Sequence, residues 1–200
     1  MTEAISADKV LRLIVVRHTQ TENNANRILT GQHDPIVNPR GLTQSLELAS
    51  ALFPKRISAV YASDLRRTRF VAEVIAIRHP GVPFFCDARL REVNIGALTG
   101  LNRDEARARF PEDRFRTSNA NFDYSSVGGE TRRELALRQL GFFRGLYLRH
   151  AGEPGAVAVV GHGTSLRVIL PYLGYGGNLP EQGGFTELDV ARIPDDNEVI

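Results

Sequence analysis

Leu13-Ile14-Val15-Val16-Arg17-His18-Thr19-Gln20-Thr21-Glu22-Asn23-Asn24 is the stretch that decides the fold: an apolar run of buried-strand type feeds directly into an Arg-His pair followed by amide side chains. In α/β proteins, ligands bind at the loop leaving the carboxyl end of such a strand. A second element of the same build, Ala156-Val157-Ala158-Val159-Val160-Gly161-His162-Gly163-Thr164, lies far along the chain. Side by side in one sheet, the two would bring a pair of histidines together at neighbouring strand ends. Two imidazoles beside arginines point to an anion such as phosphate.

Outward from these elements, apolar β-branched runs alternate with helical patterns. Strands are expected near 10–16, 57–61, 83–86, 156–161 and 184–190, and helices near 39–52, 63–78, 102–109, 129–149 and 163–173. Alternation of this kind predicts a central sheet with helices on both faces. Ser63-Asp64 reads as a helix start, and Gly129-Glu130-Thr131 opens the longest helical stretch, whose Leu135, Leu140, Phe142, Phe143 and Leu146 suit a core-facing surface. Residues 111–128 and 174–184, rich in Pro, Gly, Asn and Ser, read as loops.

The 200 residues are read as one domain, 1–200, with a flexible tail at 1–8. The 25 Lys and Arg against 23 Asp and Glu, net +2, are mixed along the chain, so nucleic acid is not expected as a partner and a small soluble anion is. Cys86, the lone cysteine, follows Phe84 and Phe85 and is expected to be a buried thiol, which suits a reducing cytoplasm. The first residues lack a basic start and an apolar run of signal-peptide length, and no segment is apolar enough to span a membrane, so a cytoplasmic protein is expected.

Phosphoryl transfer through histidine needs a neutral imidazole for in-line attack and cationic donors for the equatorial oxygens. It also needs an acid for the leaving oxygen whose conjugate base then activates water. The chain offers His18 as nucleophile, Arg17, Arg67 and His162 as a phosphate clamp, and Glu92 as acid. Taken singly, an Arg-His pair reads as a surface pair, His162 as a satisfied core histidine and Glu92 as a solvated carboxylate.

Taken in order, the blocks resemble one family. Arg17 to Asn24 resembles the arginine-histidine-glycine signature of the histidine phosphatase superfamily, the branch holding the cofactor-dependent phosphoglycerate mutases and small phosphatases. Thr30-Gly31-Gln32-His33-Asp34 with Asn38 and Gly41 is similar to the segment after that signature, and Ala62-Ser63-Asp64-Leu65-Arg66-Arg67-Thr68 to its next helix start. Leu90-Arg91-Glu92-Val93-Asn94-Ile95-Gly96 resembles the loop with the acid, Gly128-Gly129-Glu130-Thr131 the glycine-glycine-glutamate helix start, and Gly161 to Arg167 the second histidine element.

The resemblance implies an α/β three-layer sandwich whose central mixed sheet is mostly parallel, with the phosphate pocket at its strand ends. It implies His18 as the phosphorylated residue, Arg17, Arg67 and His162 as its pocket, and Glu92 as proton donor. Asn24, Thr30, Gly31, Gly163 and the N–H groups around Thr164 are implied substrate contacts. Neither a metal nor a cofactor is expected, since the arginines neutralise charge.

Thr19 departs from the family's glycine and would be strained if that position requires a positive φ. Three readings follow: a phosphatase, a mutase that returns the phosphoryl group to its substrate, and an impaired phospholigand-binding module suggested by Thr19. The short stretch between Glu92 and Gly128 lacks the long covering insertion of the family's glycolytic mutases, which favours hydrolysis of a small phosphorylated metabolite. Residues 101–127 are expected to cover the pocket, with Phe110, Phe115, Phe122 and Tyr124 available to a substrate. A monomer or homodimer is expected.

Overall fold

β1 (Leu11–Arg17) runs through the interior of a five-stranded sheet, with β4 (Ala156–Gly161) parallel on one side and β5 (Phe185–Val190) antiparallel on the other. β2 (Ile57–Ala62) and the short β3 (Phe84–Cys86) extend the parallel side, so the order is β3-β2-β4-β1-β5. This computed structural model describes residues 9–110 and 122–199. The tail expected at 1–8, residues 111–121 of the expected loop, and Phe115 lie outside the described residues.

The side chains of β1 show why the sheet is covered twice. Leu13 and Val15 face one side, Ile14 and Val16 the other, and all four are buried. A strand apolar on both faces is stable only between two helical layers. On one face, Leu48 and Leu52 of α2 (Pro39–Leu52) and Val71 and Ile75 of α3 (Arg66–Arg78) pack against Ile14, Val16, Val60 and Val160. On the other, Leu135 and Phe143 of α5 (Arg132–His150) and Leu166 and Ile169 of α6 (Gly163–Tyr172) pack against Leu13, Val15, Tyr61 and Val159. The expected α/β sandwich with a mostly parallel mixed sheet is therefore the observed one. The short α4 (Arg103–Arg109) starts from a capping box at Asn102, and no helix of the described residues is long and apolar enough to cross a membrane.

The chain leaves β1 toward α2 on one face and leaves β4 toward α6 on the other. The connections thus diverge at the carboxyl ends of two adjacent parallel strands, the switch point where α/β sheets open a crevice.

Four local expectations are corrected. α3 starts at Arg66 with Leu65 as an N-cap that makes no side-chain bond, because the Ser63 hydroxyl bonds instead to Thr68 and His162. A short helix not foreseen, α1 (Glu22–Ala25), is held by a reciprocal cap between Thr21 and Asn24 and buries no residue, so it leaves no apolar periodicity to read. Cys86 is exposed, since β3 is a three-residue edge strand with β2 as its single neighbour. Phe122 and Tyr124 are buried and stacked on each other, ring centroids 5.3 Å apart, and belong to the core instead of facing a substrate.

The entry to α2 is locked onto the loop after His18. The Asn38 side chain caps Gly41 N at 2.9 Å and donates to Gln20 Oε1, while Asn38 N donates to Gln20 O. Gly41 allows this approach, because a Cβ there would lie 2.1 Å from the Gln20 carbonyl oxygen. Gly41→Ala is therefore expected to lower the unfolding free energy by about 3 kcal/mol, the upper range for overpacking. Urea unfolding checks it, and a loss under about 0.5 kcal/mol would mean that α2 lifts off the loop at little cost.

Candidate active site

The β1–β4 register pairs Arg17 with Gly161, and His18 N continues the ladder to Gly161 O at 3.0 Å. The next residues of the two strands, His18 and His162, consequently meet with ring centroids 5.2 Å apart in an edge-to-face arrangement. Both are buried, at 5% and 0% exposure.

Hydrogen bonds define the state of each ring. His18 Nδ1 lies 2.7 Å from Thr19 O, which can only accept, so Nδ1 carries the proton and Nε2 presents its lone pair. Burial, then the charge of Arg67, pulls the His18 imidazole down to about 3, against the opposing pull of the Thr19 bond. The ring is thus a neutral base at physiological pH, which in-line attack requires. In His162, Nδ1 accepts from Arg67 Nε at 3.2 Å, leaving Nε2 to donate to Ser63 Oγ at 2.7 Å. The chain continues from Ser63 Oγ to Thr68 Oγ1 at 2.7 Å and ends on the Leu65 carbonyl at 2.8 Å. Burial and then Arg67 hold His162 well below its ordinary value. Both nitrogens of His162 are engaged, so it joins the pocket by orienting Arg67.

Arg67 is 2% exposed and is anchored by Gly31 O at 2.8 Å and His33 O at 2.6 Å. Gly31 has φ +48°, and a Cβ there would meet Ile95 Cγ1 at 2.6 Å, so glycine supplies both the conformation and the space. Arg17 donates to Pro180 O at 3.3 Å, while its buried Nε has no partner among the described residues. Gly163 lies against this guanidinium, where a Cβ would come within 3.0 to 3.2 Å of its atoms. Burial is the largest influence on both arginines, and Glu92 is the foremost charge that opposes it.

Glu92 caps α6. Its Oε1 accepts from Val93 N, Ser165 N and Ser165 Oγ at 2.7 to 2.9 Å, and its Oε2 from Thr164 N at 3.0 Å. The N-cap residue His162 offers this helix no side-chain bond, so the carboxylate takes up its free N–H groups. The Thr164 N–H, implied as a substrate contact, is thereby directed at Glu92. Asn24 Oδ1 is used in the α1 cap, and the Thr30 hydroxyl donates to Ile28 O at 3.1 Å.

Thr19 is not strained: Arg27 is the one non-glycine residue with positive φ among those described. Thr19 is fully buried and its hydroxyl bonds Ser45 Oγ at 3.1 Å. Ser63, Thr68 and Ser165 were missed as members of the site. The segment resembling the family's helix start held Ser63 and Thr68, and the second histidine element held Ser165, but their partners lie elsewhere in the chain. Among the described residues, no cluster of three or more His, Cys, Asp or Glu is arranged to hold a metal ion.

Residues 13–187 match the histidine phosphatase superfamily, branch 1. A 2,3-bisphosphoglycerate-dependent phosphoglycerate mutase of Azorhizobium caulinodans is 30% identical over 165 residues, 80% of each chain. A mutase of the same name from Methylobacterium sp. is also 30% identical, over 80% of this chain and 79% of its own. Among solved structures, mycobacterial hydrolase 1 is 26% identical with a TM-score of 0.79, over 90% of this chain and 92% of that one. Mycobacterial glucosyl-3-phosphoglycerate phosphatase, solved with VO3, is 26% identical with a TM-score of 0.79, over 88% and 90%.

The buried neutral histidines carry a pH signature. Both are held below their unfolded value of about 6.5, so the unfolded chain binds protons that the folded one refuses, and stability is lost as pH falls below about 6.5. His18→Gln is expected to reduce the proton uptake on unfolding by about one between pH 6 and 4.5. Urea unfolding at several pH values measures it; identical slopes in the two proteins would contradict a neutral His18.

Proposed function

The chain belongs to branch 1 of the histidine phosphatase superfamily, and on that premise we propose that it is a phosphatase that hydrolyses a small phosphomonoester through a phosphohistidine on His18. One observation carries this reading: His18 is neutral, with Nδ1 tied to Thr19 O and Nε2 left as a lone pair in a pocket shared with the buried Arg67 and the half-buried Arg17. In the first step Nε2 bonds to phosphorus as the ester P–O bond breaks, and Glu92 gives its proton to the leaving oxygen. In the second step Glu92 takes a proton from water, the new oxygen bonds to phosphorus and the N–P bond breaks. Arg17 and Arg67 neutralise the equatorial oxygens in both steps. Among the described residues Glu92 Oε2 accepts a single hydrogen bond, which leaves it a site for that proton.

Hydrolysis is favoured by the likeness to hydrolases and a phosphatase over about nine-tenths of both chains. A mutase is the second reading, favoured by the relatives that are 30% identical. The match covers 80% of this chain and 80% of the Azorhizobium mutase, so the two are of similar length and length does not separate the activities here. The binding-module reading loses its motive, since Thr19 adopts its place without strain.

Incubation with a labelled phosphomonoester in EDTA-containing buffer is expected to leave acid-labile phosphate on the wild type and none on His18→Ala, with free phosphate released. Label that persists in the variant would remove His18 from its role, and interconversion of 3-phosphoglycerate driven by 2,3-bisphosphoglycerate without net phosphate release would favour the mutase. For Glu92, the leaving group is the probe. An alkyl oxygen needs a proton to depart and p-nitrophenolate does not, so in the phosphorylation burst Glu92→Gln should slow an alkyl phosphate at least roughly tenfold more than p-nitrophenyl phosphate. Equal losses would mean that Glu92 is not the acid.

A further inference from the structure

The loop that carries Glu92, where Arg91 also pairs with Asp64, is gripped by a second ion pair from a different part of the chain. Arg138, on α5, donates from Nε to Glu130 Oε1 at 2.6 Å and from one terminal nitrogen to Arg89 O at 2.7 Å and Arg91 O at 2.8 Å. Its other terminal nitrogen donates to Glu92 O at 2.9 Å and Glu130 Oε2 at 3.0 Å. A guanidinium has five N–H donors, and all five are used. Glu130 Oε2 also accepts from Asn94 N at 2.7 Å, and Glu130 N donates to Asn94 O at 2.8 Å. Arg138 and Glu130 are 20% and 18% exposed. An ion pair this sheltered persists only when its remaining hydrogen-bonding capacity is met, and here it is met by the backbone of residues 89 to 94.

We propose that Arg138, with Glu130 as its counter-ion, is a positioning residue that sets the place of the Glu92 carboxylate and so controls proton transfer to the leaving oxygen. Its grip is on the carbonyls of residues 89, 91 and 92, while the Glu92 carboxylate itself is held by Val93, Thr164 and Ser165. The carboxylate is thus anchored by α6 through the side chain and by α5 through the backbone, where Gln32 Nε2 also donates to Glu92 O at 3.1 Å. A displacement of about 1 Å in a catalytic group can cost on the order of a hundredfold in rate. Lysine cannot replace this arginine, because one ammonium lacks the planar fork that reaches three carbonyls and a carboxylate at once.

The proposal rests on Glu92 as the acid, and the experiment separates the two. The phosphorylation burst is measured with p-nitrophenyl phosphate and with glycerol 3-phosphate for the wild type, Arg138→Met, Arg138→Lys, Glu92→Gln and the double variant E92Q/R138M. A merely structural role would slow both substrates alike. The expected result is that R138M and R138K slow glycerol 3-phosphate at least about tenfold more than p-nitrophenyl phosphate. On the E92Q background, R138M should cost nothing further on glycerol 3-phosphate, since the two changes disable the same step. If R138M does not fold, R138K and Glu130→Gln carry the same comparison. Equal losses on both substrates in the Arg138 variants, with E92Q still biased, overturn the Arg138 assignment alone; an unbiased E92Q overturns Glu92 as the acid and the Arg138 assignment with it.

Discussion

The pocket depends on the parallel register that sets Arg17 of β1 opposite Gly161 of β4. Because side chains alternate along a strand, a slip of one residue would send His18 and His162 to opposite faces and exchange Leu13 and Val15 for Ile14 and Val16 in the two cores. The register is therefore enforced by the burial of both faces, and the histidine pair inherits its geometry from hydrophobic packing. The divergence of α2 and α6 at the same strand ends places the pair at the switch point of the sheet.

Electrostatics inside the crevice follow from the same crowding. Arg17 and Arg67 beside two imidazoles would be repelled by imidazolium, and burial already disfavours the charged rings, so both influences make the histidines neutral. The arginines stay bonded to carbonyls of Gly31, His33 and Pro180, which compensates part of their lost hydration without cancelling their charge. Glu92 sits at the N-terminus of α6, where its carboxyl oxygens take up helix N–H groups that would otherwise lack partners.

Thr19 illustrates how a departure from a family pattern is absorbed. Its carbonyl fixes the His18 tautomer, and its hydroxyl is paid for by Ser45, one turn along α2 from Gly41. Backbone carbonyls serve any residue type, so the tautomer does not require glycine at position 19. What does require glycine is the neighbouring approach: Gly41 against Gln20, Gly163 against Arg17 and Gly31 against Ile95.

By itself the sequence determined the strands and most helices, the two strand-histidine elements and, to within three residues, the start of α5, because apolar periodicity and helix caps are written in residues a few positions apart. It also singled out His18, Arg67, Glu92 and His162, and these the structure brings to one region. It did not disclose α1, whose cap is entirely polar, or the exposure of Cys86, which depends on which strand forms the sheet edge. Ser63 read as part of a helix start and nothing in the sequence drew attention to Arg138, yet the first bonds His162 and the second holds the Glu92 loop. Those roles were decided by the tertiary structure alone, since a hydrogen bond depends on where a partner 46 to 99 residues away comes to rest, and no local pattern records that distance.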